Sequence, residues 1–132
     1  MLKLRSAGIT MDSGNAWELC DFYHRLLGGK KHESGCGLYV DLLDSKQPGA
    51  PIMGFQEFED YEPPVWPEEP GKQQTMVHWD FCVDDVAEGV KHALSCGAVL
   101  AEAQYGGDDY QTLIDPAGHP FCIMKYHAPP AE

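Results

Sequence analysis

The chain runs through one order of elements twice, and that repetition constrains its fold more than any other feature. In the first pass Leu4 to Met11 reads as a strand, and Asp12, Ser13 or Asn15 can cap the helix that follows. Ala16, Leu19, Cys20, Tyr23, Leu26 and Leu27 then recur at helical spacing as one apolar stripe, which Gly28-Gly29 stops. A short strand over Lys30 to Glu33 is faintly signalled. Gly37 to Leu43 and Pro51 to Phe58 read as stronger strands, with Ser45-Lys46-Gln47-Pro48-Gly49 as the turn between them. In the second pass Thr75 to Val83 is a strand, and Asp85 and Glu88 have the spacing of a capping box. Val86, Val90, Ala93 and Leu94 form the second stripe, and Gly97 ends that helix. Val99 to Tyr105, Tyr110 to Ile114 and Pro120 to Tyr126 follow as strands. Gly106-Gly107-Asp108-Asp109 and Asp115-Pro116-Ala117-Gly118 supply the turns.

A helix with one apolar stripe packs that stripe on one sheet face, which leaves the other face free to curl. The expected fold is therefore α+β: two β-α-β-β-β modules forming a curved, half-open mixed sheet around a cavity, with the helices outside. The 132 residues suit a single domain made of a module over 1–58, a linker over 59–74 and a module over 75–127. The linker holds Pro63, Pro64, Pro67 and Pro70 among acidic residues. Val65-Trp66 interrupts it, so Trp66 either pins the loop to the body or edges a pocket.

Net charge is −12, which repels phosphate backbones and anionic lipid and sets aside nucleic-acid and membrane-surface roles. No apolar run reaches the ~20 residues that span a bilayer, and the basic N-terminus lacks the apolar core of a signal peptide. A cytoplasmic protein is expected. Its five cysteines, Cys20, Cys36, Cys82, Cys96 and Cys122, form no CxxC and no zinc-module spacing, so reduced thiols are expected.

Strand alternation selects the candidate site. His78, Asp80 and Cys82 share one face, and Trp79, Phe81 and Val83 the other, which should pack on the helices. On the last strand Cys122, Met124 and Pro120 share a face opposite Phe121 and Ile123. Polar His78 and Asp80 then point to the concave side. There, an i, i+2 pair separated by roughly 6–7 Å at Cα can be bridged by a water or a ligand. Ile52, Gln56 and Phe58 are expected to add to the same surface from the first module. His119 is read as structural, tying the closing hairpin.

Three stretches resemble the vicinal oxygen chelate superfamily, which includes glyoxalase I, bleomycin-resistance proteins, fosfomycin-resistance enzymes and extradiol dioxygenases. They are Asp21-Phe22-Tyr23-His24-Arg25-Leu26-Leu27-Gly28, then His78-Trp79-Asp80-Phe81-Cys82-Val83-Asp84-Asp85, and Leu113-Ile114-Asp115-Pro116-Ala117-Gly118-His119-Pro120-Phe121-Cys122. The closing stretch is most similar to glyoxalase-like members. The resemblance implies paired modules, a small-molecule cavity and a homodimer. In metal-using relatives it also implies one ligand from each of four strands, two usually His or Gln and two Glu. Carried over, these positions fall near Gly8 (or Ile9 or Thr10), at Gly54 or Gln56, at His78 and at Cys122. A divalent metal wants at least three converging donors. No cofactor is therefore expected; if a metal binds, His78, Gln56 and Cys122 would hold it.

The resulting functional expectation is a small-molecule enzyme of lyase or isomerase type. His78 and Asp80 carry the catalysis, and Gln56, Phe58, Trp66, Cys122 and Met124 bind the substrate. Non-catalytic sequestration of a small molecule is the alternative, and a metal-dependent lyase or dioxygenase with rearranged ligands is the third.

Overall fold

The computed structural model describes residues 1–33, 39–43, 47 and 52–131. The chain divides into two units, Met1–Glu62 and Pro63–Glu132. Among the described residues each contains one helix and one four-stranded mixed sheet that does not close into a barrel.

In the first unit β1 (Gly8–Ser13) leads to α1 (Ala16–Leu27), followed by β2 (Lys30–Glu33), β3 (Tyr39–Leu43) and β4 (Ile52–Glu57). The sheet order is β1-β4-β3-β2, with β1 parallel to β4 and the other pairs antiparallel. Asn15 is the residue that caps α1, its side chain accepting from Glu18 N at 3.0 Å. Glu57 Oε1 accepts from Ala16 N at 3.0 Å, so the end of β4 satisfies a second exposed amide of the same helix end. The helix buries Leu19, Cys20, Phe22 and Tyr23, with Tyr23 stacked on Phe55 of β4 at 5.6 Å between ring centres. Phe22 widens the expected stripe: its ring meets Tyr23 edge-on at 4.9 Å and is fully buried.

The second unit repeats that order as β5 (Asp80–Val83), α2 (Val86–Cys96), β6 (Val99–Leu100), β7 (Tyr110–Ile114) and β8 (Pro120–Lys125). The sheet order is β5-β8-β7-β6, again with its first pair parallel. Asp85 caps α2 through Glu88 N, and Gly97 closes it in the left-handed conformation at φ 117°. Gly89 lets α2 lie close on the sheet, since a Cβ there would stand 3.0 Å from Ile123 Cγ2 and 3.4 Å from Val83. Val90, Ala93, Leu113, Phe121 and Ile123 form the core around that contact.

Three strands are shorter than the sequence pattern suggests. Residues 4–7 do not join β1, whose ladder starts at the Gly8–Ile52 pairing. Residues 75–79 do not join β5, because Met76 turns the chain at φ 65° and Val77 N donates to Thr75 O at 2.7 Å. Residues 101–105 lie past β6: Ala101 N still donates to Thr112 O at 3.1 Å, and the side chain of Gln104 makes the next bonds to Thr112. The expected turn at Ser45-Lys46-Gln47-Pro48-Gly49 lies outside the described residues apart from Gln47, as do Gly37 and Pro51 at the expected strand starts and the expected thiol Cys36. No described helix is long and apolar enough to cross a membrane.

Candidate functional site

The parallel pairing of β5 with β8 sets Asp80 beside Cys122 and Cys82 beside Met124. Antiparallel β7 extends both rows, with Thr112 beside Cys122 and Tyr110 beside Met124. Because alternate residues share a face, Asp80-Cys122-Thr112 and Cys82-Met124-Tyr110 are adjacent rows on the same side of the second sheet. Phe121 and Ile123 occupy the opposite, core side, as the alternation predicts. Ahead of β5, Cys122 N donates to Trp79 O at 2.9 Å, so strand-like pairing reaches one residue further and steadies His78 at the end of the first row.

His78 Nε2 lies 3.2 Å from Asp80 Oδ1, both side chains about half exposed. The contact is direct, where the sequence suggested a bridging water or ligand. Cys122 is half-buried, and its Sγ is 3.5 Å from Thr112 Oγ1. Burial raises the Cys122 thiol above its ordinary pKa, the Thr112 hydroxyl pulls it down, and the negative charge of Asp80 raises it again. Gln104 fixes Thr112 in turn. Its Oε1 accepts from Thr112 N at 2.9 Å, and its Nε2 donates at 2.8 Å to both Ala101 O and Thr112 O.

The other expected residues fall in different surroundings. Met124 is half-buried in the second row. Trp66 Nε1 donates to Ala103 O at 3.4 Å, and its ring meets Tyr105 edge-on at 6.0 Å, so its indole anchors the loop. Gln56 and Phe58 are exposed at the end of β4 in the first unit. His119 does tie the closing hairpin, with Nδ1 2.8 Å from the buried carboxylate of Asp115. The sequence reading missed Thr112, Gln104 and Tyr110. The only signal for them is the register of β7 against β8, which no local pattern encodes.

His78, Asp80 and Cys122 each offer one ligand atom, and these atoms all lie within 4.8 Å of one another. An imidazole nitrogen, a carboxylate oxygen and a thiol sulfur are the donor types that zinc-like ions take. The residues thus fit a divalent cation through a set that includes Asp80, which the expected ligand set did not. A cation held there would polarise a carbonyl oxygen or acidify a bound water. The matching positions of the first unit, aligned on the caps Asn15 and Asp85, are Gly8, Thr10 and Gly54. Gly8 has no room for a ligand side chain, since a Cβ would stand 2.9 Å from Ile52 O.

Two four-stranded mixed sheets, each carrying one helix and opening with a parallel pair, define the class. Residues 8–124 match the glyoxalase-like domain family, and the chain belongs to it. Solved structures share the fold. A glyoxalase/bleomycin resistance protein/dioxygenase family enzyme from Burkholderia phytofirmans is 22% identical, covering 89% of this chain and 95% of its own, with a TM-score of 0.62. Lactoylglutathione lyase from Agrobacterium tumefaciens is 13% identical over 89% of this chain and 90% of its own, with a TM-score of 0.57. The trypanothione-dependent glyoxalase I of Leishmania major is 13% identical over 93% and 87%, with a TM-score of 0.58. No curated protein matches the sequence.

Proposed function

We propose that the chain is a glyoxalase-like enzyme of lyase or isomerase type that moves a proton on a small organic substrate. The observation that carries this is the 3.2 Å contact between His78 Nε2 and Asp80 Oδ1. A carboxylate accepting from Nε2–H fixes the imidazole tautomer and leaves the Nδ1 lone pair as the base. The same carboxylate stabilises the imidazolium formed once the proton has moved. Cys122 and Met124, on the same sheet face, bound the substrate, with Trp66 of the same unit proposed as a further contact. The Agrobacterium neighbour is a lactoylglutathione lyase and the Leishmania neighbour a trypanothione-dependent glyoxalase I, and small α-hydroxy and α-keto carbonyl compounds are the first substrates to try. A cytoplasmic homodimer is proposed with it.

The test follows loss of an α-carbon proton by NMR in deuterated water, with metal-free protein and a panel of small carbonyl compounds. Exchange that falls on the order of 100-fold or more in His78→Ala supports the reading. Exchange unchanged by that substitution, or absent for every compound, sinks it. A second reading, capture of a small cation without chemistry, draws on the net charge of −12. Tight binding of cationic ligands that survives His78→Ala would favour it.

A further inference from the structure

We infer that His78, Asp80 and Cys122 form a soft-cation site contained within the second unit, and that its occupancy and proton transfer through His78 exclude each other. The site stands on the geometry of the three side chains, and the exclusion rests on the proposed proton transfer. Two donors share one sheet face, since Asp80 and Cys122 are register partners, and His78 lies two residues before Asp80, just ahead of β5. Their ligand atoms already lie within 4.8 Å of one another. Four-coordinate zinc or cobalt, with bonds of roughly 2.0–2.3 Å, needs donors about 3.5 Å apart. Closing that difference takes only rotamer changes in His78 and Asp80, whose side chains are about half exposed. Cys122 sits on the rigid part, held by β8 and by its contact to Thr112.

The donor chemistry decides which ion. A thiolate beside an imidazole favours zinc, cobalt and similar borderline ions over magnesium or calcium, which prefer all-oxygen shells. Three protein donors leave a fourth position for water or a small ligand. This differs from the four-strand pattern implied by the resemblance, which spreads its ligands over both modules. Here the first unit offers Gly8, Thr10 and Gly54 at the matching places. Binding breaks the His78–Asp80 contact, because both partners turn their bonding atoms to the ion. The Cys122 thiol proton leaves to solvent. Nδ1 then carries the imidazole proton, and His78 can no longer act as a base.

Cobalt(II) reports on this site without reference to activity. Metal-free protein titrated with Co(II) is expected to take up one ion per chain. It should develop a near-ultraviolet thiolate-to-cobalt band together with visible bands of tetrahedral intensity. Cys122→Ser should abolish the near-ultraviolet band, and Asp80→Asn should weaken uptake by at least about 10- to 100-fold, the range that even an outer-shell partner commands. Cys82→Ser, which removes the exposed thiol of the neighbouring row, should change neither. Circular dichroism checks that each variant is folded. No band at stoichiometric cobalt, or a band lost in Cys82→Ser and kept in Cys122→Ser, overturns the site. Full proton exchange on the cobalt-loaded protein overturns the exclusion while leaving the site intact. Cobalt uptake without exchange in the metal-free protein sinks the proton-transfer reading alone.

Discussion

Asp80 Oδ1 lies 3.2 Å from His78 Nε2, a contact between residues two apart at the entry to β5. Such a contact selects a tautomer, since a neutral imidazole facing a carboxylate keeps its proton on the facing nitrogen. Nitrogen-15 NMR of neutral His78 should therefore show one dominant form protonated at Nε2. In Asp80→Ala the signals should move to the averaged values of a free imidazole. A wild-type spectrum already averaged would mean that the contact does not hold in solution.

Cys122 titrates under three influences that substitution can separate. Burial and the Asp80 charge raise its pKa, and the Thr112 hydroxyl lowers it. Asp80→Asn should thus bring the thiol down, and Thr112→Val should push it further up. Alkylation rate against pH, read at the Cys122 peptide by mass spectrometry, checks both directions and keeps exposed Cys82 out of the signal. The sign for stability follows. A thiol whose folded pKa lies above its unfolded one favours the fold in full below the unfolded value. That contribution is lost as pH rises from there through the folded value. Identical profiles in wild type and both variants would remove the proposed coupling.

Helices were legible in the sequence because their signals are local. Asn15 and Asp85 cap, Gly28 and Gly97 stop, and the stripes between them face the core. Strand ends were not, because a strand ends where its partner does. Residues 4–7 and 75–79 alternate plausibly, but backbone pairing beyond β1 and β5 reaches only Ala7 and Trp79. Of the site, strand alternation put His78, Asp80 and Cys122 on one surface. It could not show that His78 reaches Asp80 directly, which depends on rotamers. Nor could it show that Thr112 stands beside Cys122, which depends on the register of a strand ten residues away. Phe22 escaped the expected stripe because the helix buries a wider arc than one row of side chains.

Gln104 should matter more than a side chain exposed beyond the end of a strand ordinarily does. It gives Thr112 N an acceptor and donates to the carbonyls of Ala101 and Thr112, beside the backbone bond from Ala101 N to Thr112 O. Gln104→Ala removes these bonds beside buried Thr112 and should cost about 1–3 kcal/mol. Urea unfolding measures the loss. The Cys122 alkylation profile should shift in the same variant, because Thr112 loses its fixed orientation. A loss below about 0.5 kcal/mol with an unchanged profile would show that solvent replaces the amide at no cost.

Asp115 holds the turn into β8. Its side chain is fully buried, and Oδ1 accepts from Ala117 N at 2.9 Å and His119 N at 3.0 Å. Oδ2 lies 2.8 Å from His119 Nδ1, and Asp115 N donates to His119 O at 2.9 Å, so one residue holds both sides of the turn into β8. Gly118 completes the turn at φ 92°, where a Cβ would stand 2.8 Å from Pro63 Cβ. Removing the carboxylate strands two amides and an imidazole in a partly buried turn. Asp115→Ala should therefore cost about 1–3 kcal/mol or more, the range for buried groups left without their hydrogen-bond partner. Gly118→Ala should cost about 1–2 kcal/mol from backbone strain, with the Pro63 contact adding to it. The turn feeds the strand that carries Cys122, so its loosening should also reach the site. Denaturant midpoints rank the two variants, and cobalt uptake at a temperature where both remain folded reads the second effect. An Asp115→Ala protein as stable as wild type would show that the turn is held by backbone pairing alone.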